Sequence, residues 1–218
     1  MAIKLHGDPR ATCYQRVAFV LAELGLAYET VTISLARQEN KSPEFLKLQP
    51  FGKVPALVDD GFVVFESRAI CKYLARKYAT PGARLVPEDG DFEGLALFEQ
   101  AASIEQSYFD PPCGAYAYEK IYKKFYGQET DEAAAATRLA TLDSVLAVYD
   151  GLLAQRQYLA GERLTLADLF HVPYAVVVKA VGAQEVFDRY PRVRKWLEGL
   201  EARESWKNLA ESGREGVV

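Results

Sequence analysis

The feature that most constrains how this chain can fold is a change of hydrophobic period near residue 80. Before it, short apolar runs alternate between strand-like and helical spacing, at 3–6, 16–24, 28–34, 54–58, 62–65 and 68–78. Their order predicts a βαβ unit followed by a ββα unit. In the first helical run Val17, Val20, Leu21 and Leu24 share a face and Gly25 ends it, while Tyr28, Val31 and Ile33 follow in a strand context. Asp59-Asp60-Gly61, between two short apolar runs, signals a hairpin. From residue 92 the spacing becomes helical and stays so, with Leu95, Phe98, Ala102 and Glu105 in one stretch and Leu139, Leu142, Val145, Leu146 and Tyr149 in another. Residues 79–91 carry Pro81, Gly82, Pro87 and Gly90, the composition of a linker. The expected organisation is an α/β domain over 1–78, a linker over 79–91 and an all-α domain over 92–218.

Composition narrows the partners. The chain has 218 residues, is half apolar and a quarter charged, and carries a net charge of −4, so it is not built to coat nucleic acid or an anionic membrane. Residues 1–80 hold 11 Lys/Arg against 8 Asp/Glu, leaving 15 against 22 for the remainder; the first domain is mildly basic, which suits an anionic ligand. Cys13, Cys71 and Cys113 are odd in number and far apart, and the first residues lead directly into a strand-like run, so a reduced protein of the cytoplasm is expected. No apolar stretch is expected to reach bilayer-spanning length, because the run at 172–181 is interrupted by Pro173 and Lys179.

Three pieces of the first half point to one place. In Phe51-Gly52-Lys53-Val54-Pro55 a proline opens a run that otherwise reads as a strand. A cis Val54–Pro55 bond would turn the Val54 backbone outward to pair with an extended peptide; a trans proline at the start of an edge strand fits the same residues. Next, Phe65-Glu66-Ser67-Arg68 passes from strand to helix with Ser67 as the natural N-cap. The free N–H groups there can hold a carboxylate and Glu66 can receive an ammonium, together a receptor for a free α-amino acid head; a plain capped helix is the alternative. The third piece is the loop from Gly7 to Val17, where a helix N-terminus can stabilise a thiolate. Thr12-x-x-Gln15 there fits a capping box, which gives Thr12 a structural reading beside a catalytic one, and Cys13 reads equally as a small buried apolar residue.

The second half offers one clear local signal. Thr165 as N-cap, Asp168 at the third helical position and Leu164 placed to pack on Leu169 describe a helix start, assigned to folding rather than chemistry. His6 and His171 have no Cys, Asp or Glu partner at metal spacing, so no metal is expected, and there is no Gly-rich phosphate loop.

Taken together, Asn40-Lys41-Ser42-Pro43-Glu44-Phe45-Leu46, Pro50-Phe51-Gly52-Lys53-Val54-Pro55-Ala56 and Phe65-Glu66-Ser67-Arg68-Ala69-Ile70-Cys71-Lys72-Tyr73-Leu74 resemble, in this order, the cytosolic glutathione transferases, most closely the phi class of plants and its fungal relatives. Thr165-Leu166-Ala167-Asp168 resembles the capping box of that superfamily's helical domain. The resemblance implies a thioredoxin-like first domain, a helical-bundle second domain and glutathione as co-substrate. It further implies that Glu66 and Ser67 bind the γ-glutamyl head, that Val54 pairs with the cysteinyl unit before a cis Pro55, and that Lys41 meets the glycyl carboxylate. Asn40 stands where the family usually has histidine and Lys53 where it has glutamine; both can still hydrogen-bond a carboxylate.

The departure is at the activating residue. The first loop of phi-like enzymes carries a serine whose hydroxyl donates to the glutathione sulfur, and the spacing to Arg16-Val17 puts Ala11 at that position. Thr12 is the nearest hydroxyl and becomes the candidate. Cys13 lies two residues beyond the position of the nucleophilic cysteine of omega-like relatives. An apolar acceptor pocket is expected near Ala11, Leu35, Phe109, Tyr116 and Tyr118, from position and aromatic content. Three activities are therefore compatible with the residues: a transferase adding glutathione to small apolar electrophiles or reducing hydroperoxides with it, a non-catalytic carrier of glutathione and apolar ligands, and a thiol reductase working through Cys13. A homodimer keyed by Phe51, in its Pro/Gly loop, is also implied.

Overall fold

The computed structural model describes residues 2–80 and 82–215. Four strands form one sheet in the order β2-β1-β3-β4: β1 (Ile3–Gly7), β2 (Glu29–Thr32), β3 (Ala56–Asp59) and β4 (Phe62–Phe65). β1 runs parallel to β2 and antiparallel to β3, and β3 runs antiparallel to β4. The thioredoxin-like βαβ-ββα arrangement is therefore present, with α1 (Thr12–Glu23), a short α2 (Pro43–Leu46) and α3 (Ser67–Lys77) as its helices. The β3–β4 hairpin turns on Asp60 and Gly61, both at positive φ (47° and 89°), as a two-residue primed turn requires. Leu5, Val17, Phe19, Leu21, Leu57, Ile70 and Leu74 make its core, all fully buried.

At the far end of β3, Asp59 ties the hairpin to the last turn of α3. Its carboxylate accepts hydrogen bonds from Tyr73, Lys77 and Tyr78 at 2.8 to 2.9 Å. Burial alone would raise the Asp59 carboxyl, but the bonds from Lys77, Tyr78 and Tyr73 together hold it below the usual carboxylate range.

The second unit is helical. It contains α4 (Phe92–Ile104), α5 (Asp110–Ala117), α6 (Lys123–Phe125), the long α7 (Glu132–Leu152), α8 (Leu166–Leu169), α9 (Val172–Val178), α10 (Gln184–Asp188) and α11 (Pro191–Glu201). Wide π turns at Glu105–Phe109, Tyr118–Tyr122 and Lys179–Ala183 interrupt it. The first has a cause in the sequence: Pro111 and Pro112 lie one turn beyond and cannot donate to the carbonyls of Ser107 and Tyr108, so the helix widens ahead of them. Thr165 and Asp168 form the expected capping box. Asp168 is fully buried and accepts from Leu159 N (2.9 Å), Thr165 N (3.0 Å), Thr165 Oγ1 (3.1 Å) and Trp196 Nε1 (3.2 Å).

Three sequence expectations change. Residues Leu166–Asp188 form, by length and composition alone, a stretch apolar enough to cross a membrane, contrary to the reading of that region. More than half of it is buried in the protein and its backbone leaves helical geometry at Val181 and Gly182, so it acts as core of the helical unit. The division of the chain also differs from 1–78 and 92–218. By contacts, residues 1–86 and 203–218 form one unit and 87–202 the other, because α12 (Glu204–Glu215) packs on α1. Phe19 and Trp206 meet edge to face at 5.1 Å, and Arg203 grips Glu23 through two bonds of 2.6 Å, with Ser205 donating to the same carboxylate. Finally, two helix starts shift: Ala11 and Glu66, not Thr12 and Ser67, are the N-caps of α1 and α3, and neither side chain makes a capping bond.

Candidate functional site

The sheet register brings the three sequence segments to one end of the sheet. His6 pairs with Ala56, and Ala56 with Phe65, so the end of β1, the start of β3 and the end of β4 lie side by side. The loops that leave these points are the first loop, the Val54–Pro55 segment and the Glu66–Ser67 junction. The first two touch: a Cβ placed on Gly7 would stand 3.5 Å from both Val54 and Pro55. The Val54–Pro55 bond is cis. Pro55 is buried and Val54 half-buried, immediately before the first residue of β3.

The first loop is shaped by Asp8. Its buried carboxylate accepts from Arg10 N and Nε at 3.0 Å and Nη2 at 2.8 Å, and its carbonyl receives Ala11 N at 2.9 Å. Arg10's side-chain bonds hold the Asp8 carboxyl below the usual range against the opposing effect of burial. This turn delivers Ala11 in extended conformation (φ −74°, ψ 130°), and α1 begins at Thr12. Thr12 is 3% exposed and Cys13 is half-buried. The first-turn N–H groups of α1 therefore open beside the loop, with the positive end of the helix dipole behind them.

At Glu66 the backbone takes φ 70° and ψ 109°, a conformation that costs a residue with a Cβ on the order of 1–3 kcal/mol and is held by surrounding structure. Its side chain stays exposed, whereas Ser67 is 6% exposed and receives Arg16 Nη1 on its Oγ at 2.9 Å. Arg16 itself is fully buried and also reaches Cys13 Sγ at 3.6 Å, so one guanidinium joins the first turn of α1 to the first residue of α3.

Asn40 and Lys41 end a 3-10 turn at Glu39–Lys41. Both are tied to the 51–53 loop: Asn40 Nδ2 donates to Gly52 O at 2.8 Å and Lys41 Nζ to Phe51 O at 3.1 Å. An ammonium has three donors, so Lys41 keeps capacity for a carboxylate. The approach is tight, since a Cβ on Gly52 (φ 60°) would lie 2.7 Å from Asn40 O. Lys53 is exposed at its side chain, while its N–H donates to the buried Gln49 Oε1 at 3.1 Å. Asn40, Lys41, Lys53, Val54, Pro55, Glu66 and Ser67 thus all belong to the first unit, and Asp8, Arg16 and Gln49 are supporting residues that sequence reasoning passed over. The signal for Arg16 was a charged residue within an otherwise apolar helical run.

The expected pocket residues divide. Leu35 and Tyr118 are partly exposed, whereas Phe109 and Tyr116 are core residues of the helical unit. Phe109 lies 4.6 Å from the His171 ring and 6.2 Å from that of Tyr149, and Tyr116 donates to Val181 O at 3.2 Å.

The chain has relatives in sequence and in fold. The family description "Glutathione S-transferase, N-terminal domain" matches residues 1–76 and "Glutathione S-transferase, C-terminal domain" residues 106–204. Glutathione S-transferase hmp2 of Hypomyces subiculosus is 45% identical over 207 residues, 94% of this chain and 96% of its own. Glutathione S-transferase PM239X14 of Arabidopsis thaliana is 40% identical over 198 residues, 90% of each chain. Among solved structures, glutathione transferase F7 of Populus trichocarpa superposes with a TM-score of 0.93 at 32% identity, covering 97% of this chain and 99% of the other. Glutathione S-transferase I from mais, in complex with an atrazine glutathione conjugate, superposes with a TM-score of 0.91 at 35% identity over 100% of both chains. On sequence over nearly its whole length and on fold, the chain belongs to the glutathione S-transferase family, beside its phi-class plant members and a fungal one.

Proposed function

We propose that this chain transfers reduced glutathione to small, largely apolar electrophiles, with the tripeptide lying across the end of the sheet where the termini of β1, β3 and β4 meet. The observation that carries this reading is the Glu66–Ser67 junction: a strained residue with an exposed carboxylate beside a buried hydroxyl at the start of α3. A γ-glutamyl head fits both, its carboxylate on Ser67 and the first N–H groups of α3, its ammonium on Glu66. The Val54 backbone then pairs with the cysteinyl unit before Pro55, and Lys41, Asn40 and Lys53 serve the glycyl carboxylate. The thiol comes to the first loop, where the N-terminus of α1 favours its thiolate. The thiol's proton passes to solvent, and the thiolate then forms the C–S bond as the electrophilic carbon either expels its leaving group with the bonding pair or shifts a π pair to the neighbouring atom, which solvent protonates. Thr12 is the side-chain donor assigned to the sulfur, Ala11 having none. The acceptor is assigned to the neighbourhood of Ala11 and Leu35 in the first unit.

The absence of a hydroxyl at Ala11 supports a second reading, a carrier that binds glutathione and apolar ligands without turnover. The ultraviolet absorbance of bound glutathione against pH separates the two. A thiolate at neutral pH together with conjugate formation upholds the transferase; a thiol and negligible turnover leave the carrier. We also place the protein in the cytoplasm, which its three free cysteines favour, and in a twofold dimer, for which Phe51, 68% exposed, is the contact residue.

A further inference from the structure

Arg16 is a buried charged group of this site that the proposed reaction does not use. Its guanidinium is fully buried, and Nη1 donates to Ser67 Oγ at 2.9 Å across 51 residues of sequence. Because a guanidinium has donors only, the direction of that bond is fixed and Ser67 Oγ accepts. A hydroxyl carries one proton, and the guanidinium turns that proton away from itself. Ser67 therefore faces its ligand as a donor, and a bond from a charged group on its oxygen strengthens that donation.

We propose that Arg16 is a positioning residue that sets specificity at the γ-glutamyl end of the site: by holding Ser67 as a donor it selects a ligand with a free α-carboxylate over the neutral amide. This rests on the reading of Glu66 and Ser67 as the receptor for the γ-glutamyl head. A carboxylate only accepts, so it matches a hydroxyl whose oxygen already accepts from Arg16 and whose proton is turned toward the ligand. An amide offers a weaker, neutral acceptor, and its N–H groups gain little from an oxygen that already accepts from a guanidinium. Without the guanidinium the Ser67 hydroxyl is free to rotate, to accept from an amide as well as donate to an acid, and the distinction fades.

Calorimetry with two probes tests this: glutathione, and glutathione amidated at the γ-glutamyl α-carboxylate. The native chain is expected to prefer the acid by about tenfold or more, the range of a charge-assisted bond. Arg16→Met should cut that preference several-fold while changing affinity for the amide little, and Arg16→Lys, which keeps a donor, should retain part of it. In a Ser67→Ala background Arg16→Met should leave the preference unaltered, since the two act as one unit. In turnover, Arg16→Met should raise KM for glutathione with kcat at saturation nearly kept. Should Arg16→Met fail to fold by circular dichroism, Arg16→Lys with and without Ser67→Ala carries the same comparison. An acid-to-amide ratio unchanged in a folded Arg16 variant, or effects of Arg16 and Ser67 that add, overturns the inference alone. A native chain that binds neither probe overturns it together with the glutathione reading.

Discussion

Residue 11 decides more than its size suggests. Ala11 is the N-cap of α1, in extended conformation, and it makes no capping bond. A serine there can accept from a first-turn N–H and donate its own proton outward, so Ala11→Ser has two effects. Filling the cap is expected to stabilise the protein by about 1 kcal/mol. Placing a hydroxyl beside the thiolate is expected to lower the pKa of bound glutathione by roughly one to two units, the equivalent of about 1.5–3 kcal/mol. The rate at neutral pH should rise less than the pKa falls, because a more stabilised thiolate is a poorer nucleophile. Thr12→Val discriminates the present donor: if Thr12 serves the sulfur, conjugation falls sharply, and if both variants leave the pH dependence of the bound thiol unaltered, the side chains of the first loop take no part. Thr12 is 3% exposed and valine has nearly its shape, so Thr12→Val fills the same space while removing the hydroxyl. The same residues show why the helix start was misjudged from sequence. Thr12-x-x-Gln15 satisfied the capping pattern, yet the turn set by Asp8 presents Ala11 in the extended conformation a cap needs, and the helix begins one residue early.

At the level of elements, local chemistry was legible and distant chemistry was not. β4 is the run 62–65 as periodicity delimits it, and the hairpin falls on Asp60 and Gly61, because alternation and a turn with positive φ are properties of neighbouring residues. The capping box at Thr165 and Asp168 was equally visible, but its depth was not. Asp168 collects four donors, two of them from Leu159 and Trp196, which no spacing rule connects to it. Burial raises its carboxyl above the usual range although those bonds oppose the shift. Asp168→Ala should therefore cost about 3 kcal/mol or more, since it strands several buried donors at once. Urea titration reads this, and a loss below about 1 kcal/mol would reduce the motif to an ordinary cap. The widened turn at Glu105–Phe109 belongs with the legible features in retrospect, its cue being the Pro111-Pro112 pair, whereas Arg16 beneath Ser67 depends on a contact between residues 51 apart. α12 is another long-range case. Trp206 and Phe19 are buried against each other 187 positions apart, so Trp206→Ala should destabilise the first unit by about 3–5 kcal/mol. Hydrogen exchange is then expected to speed up in α1 and stay unchanged in α7, and equal loss in both would show that the two units do not melt separately.

For the whole molecule the open question is assembly, and Phe51 poses it most directly. The loop that carries it is pinned from below: Lys41 Nζ holds its carbonyl at 3.1 Å, Asn40 holds that of Gly52, and the Phe51 ring meets Phe65 edge to face at 6.2 Å while remaining 68% exposed. A loop fixed by its backbone and presenting an apolar ring to solvent suits a partner surface, and Phe62 and Val63 in β4, of the same unit, are exposed as well. Burying one such ring contributes about 1.5–3 kcal/mol, and a twofold interface would bury it twice, so Phe51→Asp is expected to remove roughly 3–6 kcal/mol from the proposed dimerisation. That corresponds to a dissociation constant raised by about two to four orders of magnitude. Sedimentation of the native chain at micromolar concentration is expected to show twice its 24.3 kDa, and the variant a species approaching the single chain. Glutathione affinity is the internal control, since Lys41 is tied to the Phe51 carbonyl rather than to its ring, and should change little in the variant. A native protein that sediments near 24.3 kDa leaves Phe51 without a partner of its own kind, and a variant that stays dimeric moves the interface to another face.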